Sequence, residues 1–228
     1  NNGGAVSLLA AGAPGSTAMS VGVNTSTSGA RSGSVTLNYQ TDGNGSSGLA
    51  AASAGSQVIN VSGNVFQAAS GQIDSVPLNF GTVQVGQSVS QVLSISNTAV
   101  GAAGFVEDLN ASFGGSSGSG SSLISGSGSI AGLAAGATNS SGMTVTVNTS
   151  AAATVNGAIA VNFASAGAVN GVSNGLGTLA LGAVDYGVQG LIQANVINTA
   201  SPVINNSPIN LGNVRINSSS PTALVSVT

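Results

Sequence analysis

The chain has no cysteine, no histidine, no tryptophan and no lysine, and only 3% of its 228 residues are charged. An ordinary soluble domain carries about 25% charge. Each absence removes a class of function. Without Cys or His, the usual ligands of zinc, haem, iron–sulfur and copper centres are missing. The same absence excludes Ser-His and Cys-His nucleophilic catalysis, and no lysine is present to serve a phosphate-cradling loop. Two arginines, Arg31 and Arg215, are the whole basic complement, too little for a nucleic-acid footprint. A formal net charge of −3 is too small to steer a partner by its field. No enzyme, no cofactor and no metal is therefore expected. With no disulfides to staple it, the fold must be held by packing and backbone pairing.

Long apolar runs are also absent. Gly and Ser interrupt every hydrophobic stretch, so none reaches the roughly 18–20 residues of a membrane helix, and no membrane insertion is expected. Residues 1–30 hold no basic residue and do not read as a signal peptide. The expectation is a mature or excised segment.

What the chain does have is 35 glycines, many Ser, Thr and Asn, and 42% hydrophobic residues. Apolar residues recur with period two. Val35, Leu37 and Tyr39 alternate with Thr36 and Asn38, and Met143, Val145 and Val147 alternate with Thr144 and Thr146. Ile159, Val161 and Phe163 alternate with Ala160 and Asn162. Such runs suit half-buried strands, and the Gly, Asn and Ser clusters between them suit tight turns. No segment keeps a helical period. Leu8–Ala13 and Leu133–Ala137 are Ala-rich but bounded by glycine, and read as short turns or strand edges. The fold class predicted is all-β, with tandem immunoglobulin-like β-sandwiches.

Self-comparison shows an internal repeat. Met19-Ser20-Val21-Gly22-Val23-Asn24-Thr25-Ser26 recurs as Met143-Thr144-Val145-Thr146-Val147-Asn148-Thr149-Ser150. Leu9–Ala13 recurs as Leu133–Ala137 and Gly33–Tyr39 as Gly157–Phe163, all three matches with one constant spacing. A second match has another spacing: Pro77-Leu78-Asn79-Phe80-Gly81-Thr82-Val83 recurs as Pro208-Ile209-Asn210-Leu211-Gly212-Asn213-Val214. Val92–Ser96 then recurs as Leu224–Thr228. The repeat is permuted. One copy is whole, from about Val76 to Ser201. The other has its front strands at residues 207–228 and its remainder at residues 1–70, without a counterpart of roughly Gly104–Ser129.

Three regions follow: an incomplete sandwich over residues 1–72, a complete one over 73–201, and a strand pair over 202–228. The incomplete sandwich lacks its first strands, and open edges promote association. Strands at one end of a chain complement the other end of the next, and such a heterologous contact builds an open filament by strand addition. The residues expected at this contact are Ile209, Leu211, Val214, Ile216, Leu224, Val225 and Val227 on the donor side, with Val21, Val23, Val35 and Leu37 on the acceptor side. The expected partner is another copy of the chain, in a homopolymer. Separate subunits and one period of a longer tandem-repeat chain both fit. Closure of the two ends within one chain is a third arrangement.

The run Leu78-Asn79-Phe80-Gly81-Thr82-Val83-Gln84-Val85-Gly86-Gln87-Ser88 resembles the start of bacterial choice-of-anchor D domains, immunoglobulin-like modules related to the Hydin type. Gln57–Ala68 resembles their closing pattern. The resemblance implies an extracellular or cell-surface bacterial protein and transfers no catalytic residue. A structural fibre subunit is the function expected, with a surface adhesin or carbohydrate-binding stalk as the rival.

Other candidate sites have plainer readings. Asp42-Gly43-Asn44-Gly45 opens like a calcium loop but lacks the remaining ligands, and reads as a hairpin turn. Glu107 and Asp108 are adjacent, point to opposite faces of a strand, and are expected as solvated or hairpin charges. Arg215, on the donor segment, is a candidate for an interfacial ion pair, as is Arg31. Eight Asn-x-Ser/Thr sequons, Asn24, Asn60, Asn110 and Asn148 among them, are expected in so polar a chain by composition alone. Outward ladders of Ser, Thr and Asn suit solvation of a fibre or contact with polysaccharide.

Overall fold

A computed structural model describes residues 3–43, 46–74, 78–186, 192–197 and 199–228. Val76 and Pro77 at the start of the complete copy, and Asn44-Gly45 of the Asp42 loop, lie outside the described residues. The chain is all-β, as expected. Its strands are β1 (Gly29–Thr41), β2 (Ala52–Val65), β3 (Gly71–Ile73), β4 (Asn79–Gln84) and β5 (Val89–Val92). There follow β6 (Ile95–Asn97), β7 (Leu109–Ser119), β8 (Ile124–Leu133), β9 (Thr138–Asn139) and β10 (Met143–Val147). The last are β11 (Ala153–Ser165), β12 (Ala168–Val169), β13 (Val172–Ser173), β14 (Leu179–Asp185) and β15 (Ile192–Ile197).

A large sheet runs in the order β4-β15-β11-β7-β8-β10-β5, with β14 also paired to β11. All its pairs are antiparallel except β15 with β4. A small sheet, β3-β6-β9, forms a second layer. The core takes Ile73 and Ile95 from the small sheet and Met143, Val145, Val161 and Phe163 from the large one. Strand β11 shows why its sequence folds this way: Val155, Ile159, Val161 and Phe163 are buried, at every second position save one glycine, Gly157, which is buried too. The layers approach closely at Gly71, where a Cβ would lie 2.6 Å from Cγ of Phe163. Any side chain there would meet the aromatic ring.

Strands β1 and β2 form a separate two-stranded sheet. It repeats β11 with its partners in detail. Gly29 opposes Val65 as Ala153 opposes Val196, and Gly33 opposes Val61 as Gly157 opposes Ile192. Each hairpin carries a bulge at the same place, between Tyr39 and Gln40 and between Phe163 and Ala164. The residue opposite each aromatic is a glycine with positive φ, Gly55 at 99° and Gly182 at 97°. That backbone region is open to glycine and strained for other residues.

Short contacts bind this hairpin to the core-bearing part. Ala102 N donates to Ser28 Oγ at 2.8 Å. Gln67 N donates to Phe105 O and Glu107 N to Gln67 O. The rings of Phe66 and Phe105 lie 5.4 Å apart.

Glu107 and Asp108 correct the expectation of solvated charges, for both are buried. Ser165 Oγ donates to Glu107 Oε2, and Asn174 Nδ2 donates to Glu107 Oε1 at 2.6 Å. Asp108 accepts from the backbone N–H groups of Asn170, 3.0 Å, and Gly171, 2.8 Å. A buried carboxylate is tolerated when donors surround it, and these two fasten the β12–β13 turn to the domain. Asn97, fully buried, works beside them. Its Oδ1 accepts from Ser70 N at 3.1 Å, and its Nδ2 donates to the carbonyls of Glu107 and Leu133.

Candidate assembly interface

The C-terminal segment, residues 202–228, is built as a local copy of residues 71–96. Ile204 bridges Val227 antiparallel, as Ile73 opposes Ile95 in β3–β6. Asn205 N donates to Ser226 O at 2.9 Å, as Asp74 N donates to Ser94 O at 2.8 Å. Gly212 N donates to Asn210 Oδ1 at 2.9 Å, as Gly81 N donates to Asn79 Oδ1 at 2.8 Å. Gly212 and Gly81 have φ of 69° and 62°. After the strand position, Ser218 N turns back to Arg215 O, as Gln87 N turns back to Gln84 O. Asn217 takes positive φ, 65°, where the first copy has Gly86 at 82°. Asn tolerates this conformation better than other side chains.

Local features are thus formed, while the long-range ones are not. In the core domain β4 pairs with β15 and β5 with β10. Among the described residues, the strand pairing of 199–228 is confined to the segment itself. Its apolar side chains are accordingly exposed. Leu93 is 0% exposed and its counterpart Val225 is 58% exposed. Leu78 and Val83 are buried, whereas Ile209 and Val214 are exposed. Leu211 and Val227 are exposed as well, and Ile216 reaches 94%; Leu224 is exposed too, but so is its counterpart Val92, at 50%.

The N-terminal segment shows the same relation. Ala13 N donates to Ala10 O at 3.0 Å, as Ala137 N donates to Ala134 O. Ser26 N donates to Asn24 Oδ1, as Ser150 N donates to Asn148 Oδ1. Met143, Val145 and Val147 are buried in β10, yet Met19, Val21 and Val23 are exposed, Met19 by 40% against 0% for Met143. Val35 and Leu37 are half-buried on β1.

Val21, Val23 and Val35 line one shallow groove of about 280 Å³ with Val61 and Arg31, and Leu37 is not among its lining residues. Arg31 stands where the core domain has the buried Val155. Its guanidinium is held locally: Nε donates to Asn24 O at 3.2 Å, and one terminal nitrogen donates to Thr27 Oγ1 at 2.5 Å. These bonds clamp the extended segment before β1 onto the hairpin. The Arg215 carbonyl accepts from Ser218 N and Oγ in the turn at residues 215–218.

Among the described residues no group of three or more His, Cys, Asp or Glu side chains gathers for a metal, and no helix is long and apolar enough to cross a membrane. What the described residues offer is exposed apolar side chains at both ends of the chain.

No family model matches the chain, and no curated protein matches it. Among solved structures, domains 4 and 5 of the S-layer protein SbsC are similar, at 16% identity over 62% of this chain, with a TM-score of 0.26. The match spans 52% of that chain, about half its length.

Proposed function

We propose that this chain is a structural subunit of an extracellular bacterial filament or matrix fibre. Immunoglobulin-like units of the choice-of-anchor D type stack head to tail, and each C-terminal segment completes the open β1–β2 unit of a neighbour. One observation carries this reading: positions buried in the core domain are exposed at both ends of the chain, and the two exposed sets are complementary parts of one domain.

The energetics favour it. Burying a Val, Leu or Ile side chain is worth roughly 1.5–3 kcal/mol. Half-burying the donor's exposed residues on top of their present state gives on the order of 10 kcal/mol, which meets the low end of the cost of association. Backbone pairing along two new edges adds to it. The scarcity of charge fits the same role, because exposed strand edges in monomers are normally guarded by Lys and this chain has none. The extracellular setting rests on the family resemblance.

Electron microscopy and intact mass of the native material test the reading. Thin fibres dissociating into chains near 21 kDa are expected. Compact monomers at high concentration, unaffected by removal of residues 207–228, would overturn it.

A further inference from the structure

The core domain supplies a template for how two copies join, strand by strand. Resting on the fibre reading above, we propose that residues 210–215 of one copy add parallel to the free edge of β2 in the next copy, with Val214 opposite Val65.

The register follows from two correspondences already described. The β1–β2 sheet matches β11 and its partners, so Val65, opposite Gly29, holds the place of Val196, opposite Ala153. Residues 210–215 match β4, so Val214 holds the place of Val83. In the core domain β15 and β4 are parallel, with Val196 opposite Val83, Asn195 opposite Thr82 and Ala194 opposite Gly81. Transferred across copies, Val65 faces Val214, Asn64 faces Asn213 and Gly63 faces Gly212.

Both surfaces are prepared. Strand β2 pairs only with β1 among the described residues, which leaves its other edge for a partner. The donor already has the positive φ at Gly212, within the segment, and at Asn217, just past it, that the core domain has at Gly81 and Gly86. The same transfer sets the donor's second strand. Thr144 opposes Val92 and Val147 opposes Val89 in β10–β5, so Leu224 faces Ser20 and Pro221 faces Val23. The proline then falls at the first residue of an edge strand, where a missing N–H is tolerated.

Partner choice follows from this geometry. A second copy of this chain presents the donor in the required shape, and closure within one chain would place the same contact inside a monomer. The chain has no cysteine, so an engineered pair reports one contact without background. Val65→Cys on one batch and Val214→Cys on another are mixed, assembled and oxidised. Residues opposite each other on neighbouring strands fall within disulfide range, whereas a one-residue slip turns the side chains to opposite faces. The expected result is a covalent dimer at about tenfold the yield of the slipped pair Asn64→Cys with Val214→Cys, since only the in-register pair meets disulfide geometry. A chain bearing both Val65→Cys and Val214→Cys should give a covalent ladder.

Fibres without this ladder would overturn the register while leaving the fibre reading intact. Cross-linking within a single copy of the double variant, with no product from the mixed batches, would overturn both. Equal yields from the in-register and slipped pairs would also overturn the register. Hydrogen exchange on the unmodified chain gives an independent reading. Amides of Ser62–Val65 and of residues 210–215 should slow together on assembly, and no change in either would count against the pairing.

Discussion

Ser165 donates a hydrogen bond to Glu107 inside the core domain, joining β11 to the start of β7. The same hydroxyl oxygen accepts from Ala69 N at 2.9 Å, so one side chain ties a buried carboxylate to the segment that leads out of β2. Glu107→Ala leaves Ser165 and the Asn174 amide without their acceptor. A loss of about 2–4 kcal/mol is expected, as for other buried groups stranded by deletion of a charged partner. Glu107→Gln keeps one acceptor and should cost markedly less. Denaturant unfolding of the two variants checks the order.

Asn97 makes a comparable prediction from a neutral group. Its amide serves Ser70, Glu107 and Leu133 at once. Asn97→Leu buries a larger apolar group among backbone atoms that then lack partners, and should destabilise by roughly 2–5 kcal/mol. Asn97→Asp should fare better on the acceptor side only. Hydrogen exchange at Ser70 is the local readout: its amide should lose protection in Asn97→Leu and keep it in Asn97→Asp.

Met143 and Met19 are the same position in two settings. Met143→Ala removes a fully buried side chain and should cost about 2–5 kcal/mol in the isolated chain. Met19→Ala should cost little there, because Met19 is exposed. Under the fibre reading the balance changes on assembly, and Met19→Ala should then raise the concentration needed for fibres. Thermal melts of unassembled chains, set beside sedimentation at increasing concentration, separate the two effects.

Removal of residues 207–228 should abolish assembly and leave the core domain folded. No residue of that segment belongs to the core cluster. Near-ultraviolet spectra and size measurement on the truncated chain check both halves of the statement.

Salt should matter little to the assembled material. At 1 M the screening length falls to about 3 Å, but a chain with 3% charged residues has few pairs to lose. Turbidity or pelleting across salt concentrations tests this. Dissolution in moderate salt would show that charge holds the contact.

The strands were legible where the pattern was local. Ile159, Val161 and Phe163 alternate with polar or small neighbours, and they lie on one buried face of β11. The repeat was legible for a related reason: from Leu9 to Tyr39 the two copies run without an insertion, up to a bulge at the same residue. The buried acids were not legible. Glu107 and Asp108 find their hydrogen-bond donors 58 to 67 residues away, and nothing in the flanking residues announces those partners. The parallel pairing of β15 with β4 was equally hidden. Val196 meets Val83 across most of the domain, and period two alone does not say which edges meet.

The short passage from β2 to β3 has a mechanical consequence. Between Phe66 and Ser70 the chain is gripped by the Phe105 ring, by backbone bonds to Phe105 and Glu107, by the Ser165 hydroxyl and by the Asn97 amide. A tether held at every step has no slack to pay out under a pull. Tension entering through β2 passes straight into the small sheet, and the joint between the two units resists bending as a stiff rod does, where a bare linker of the same five residues would swing.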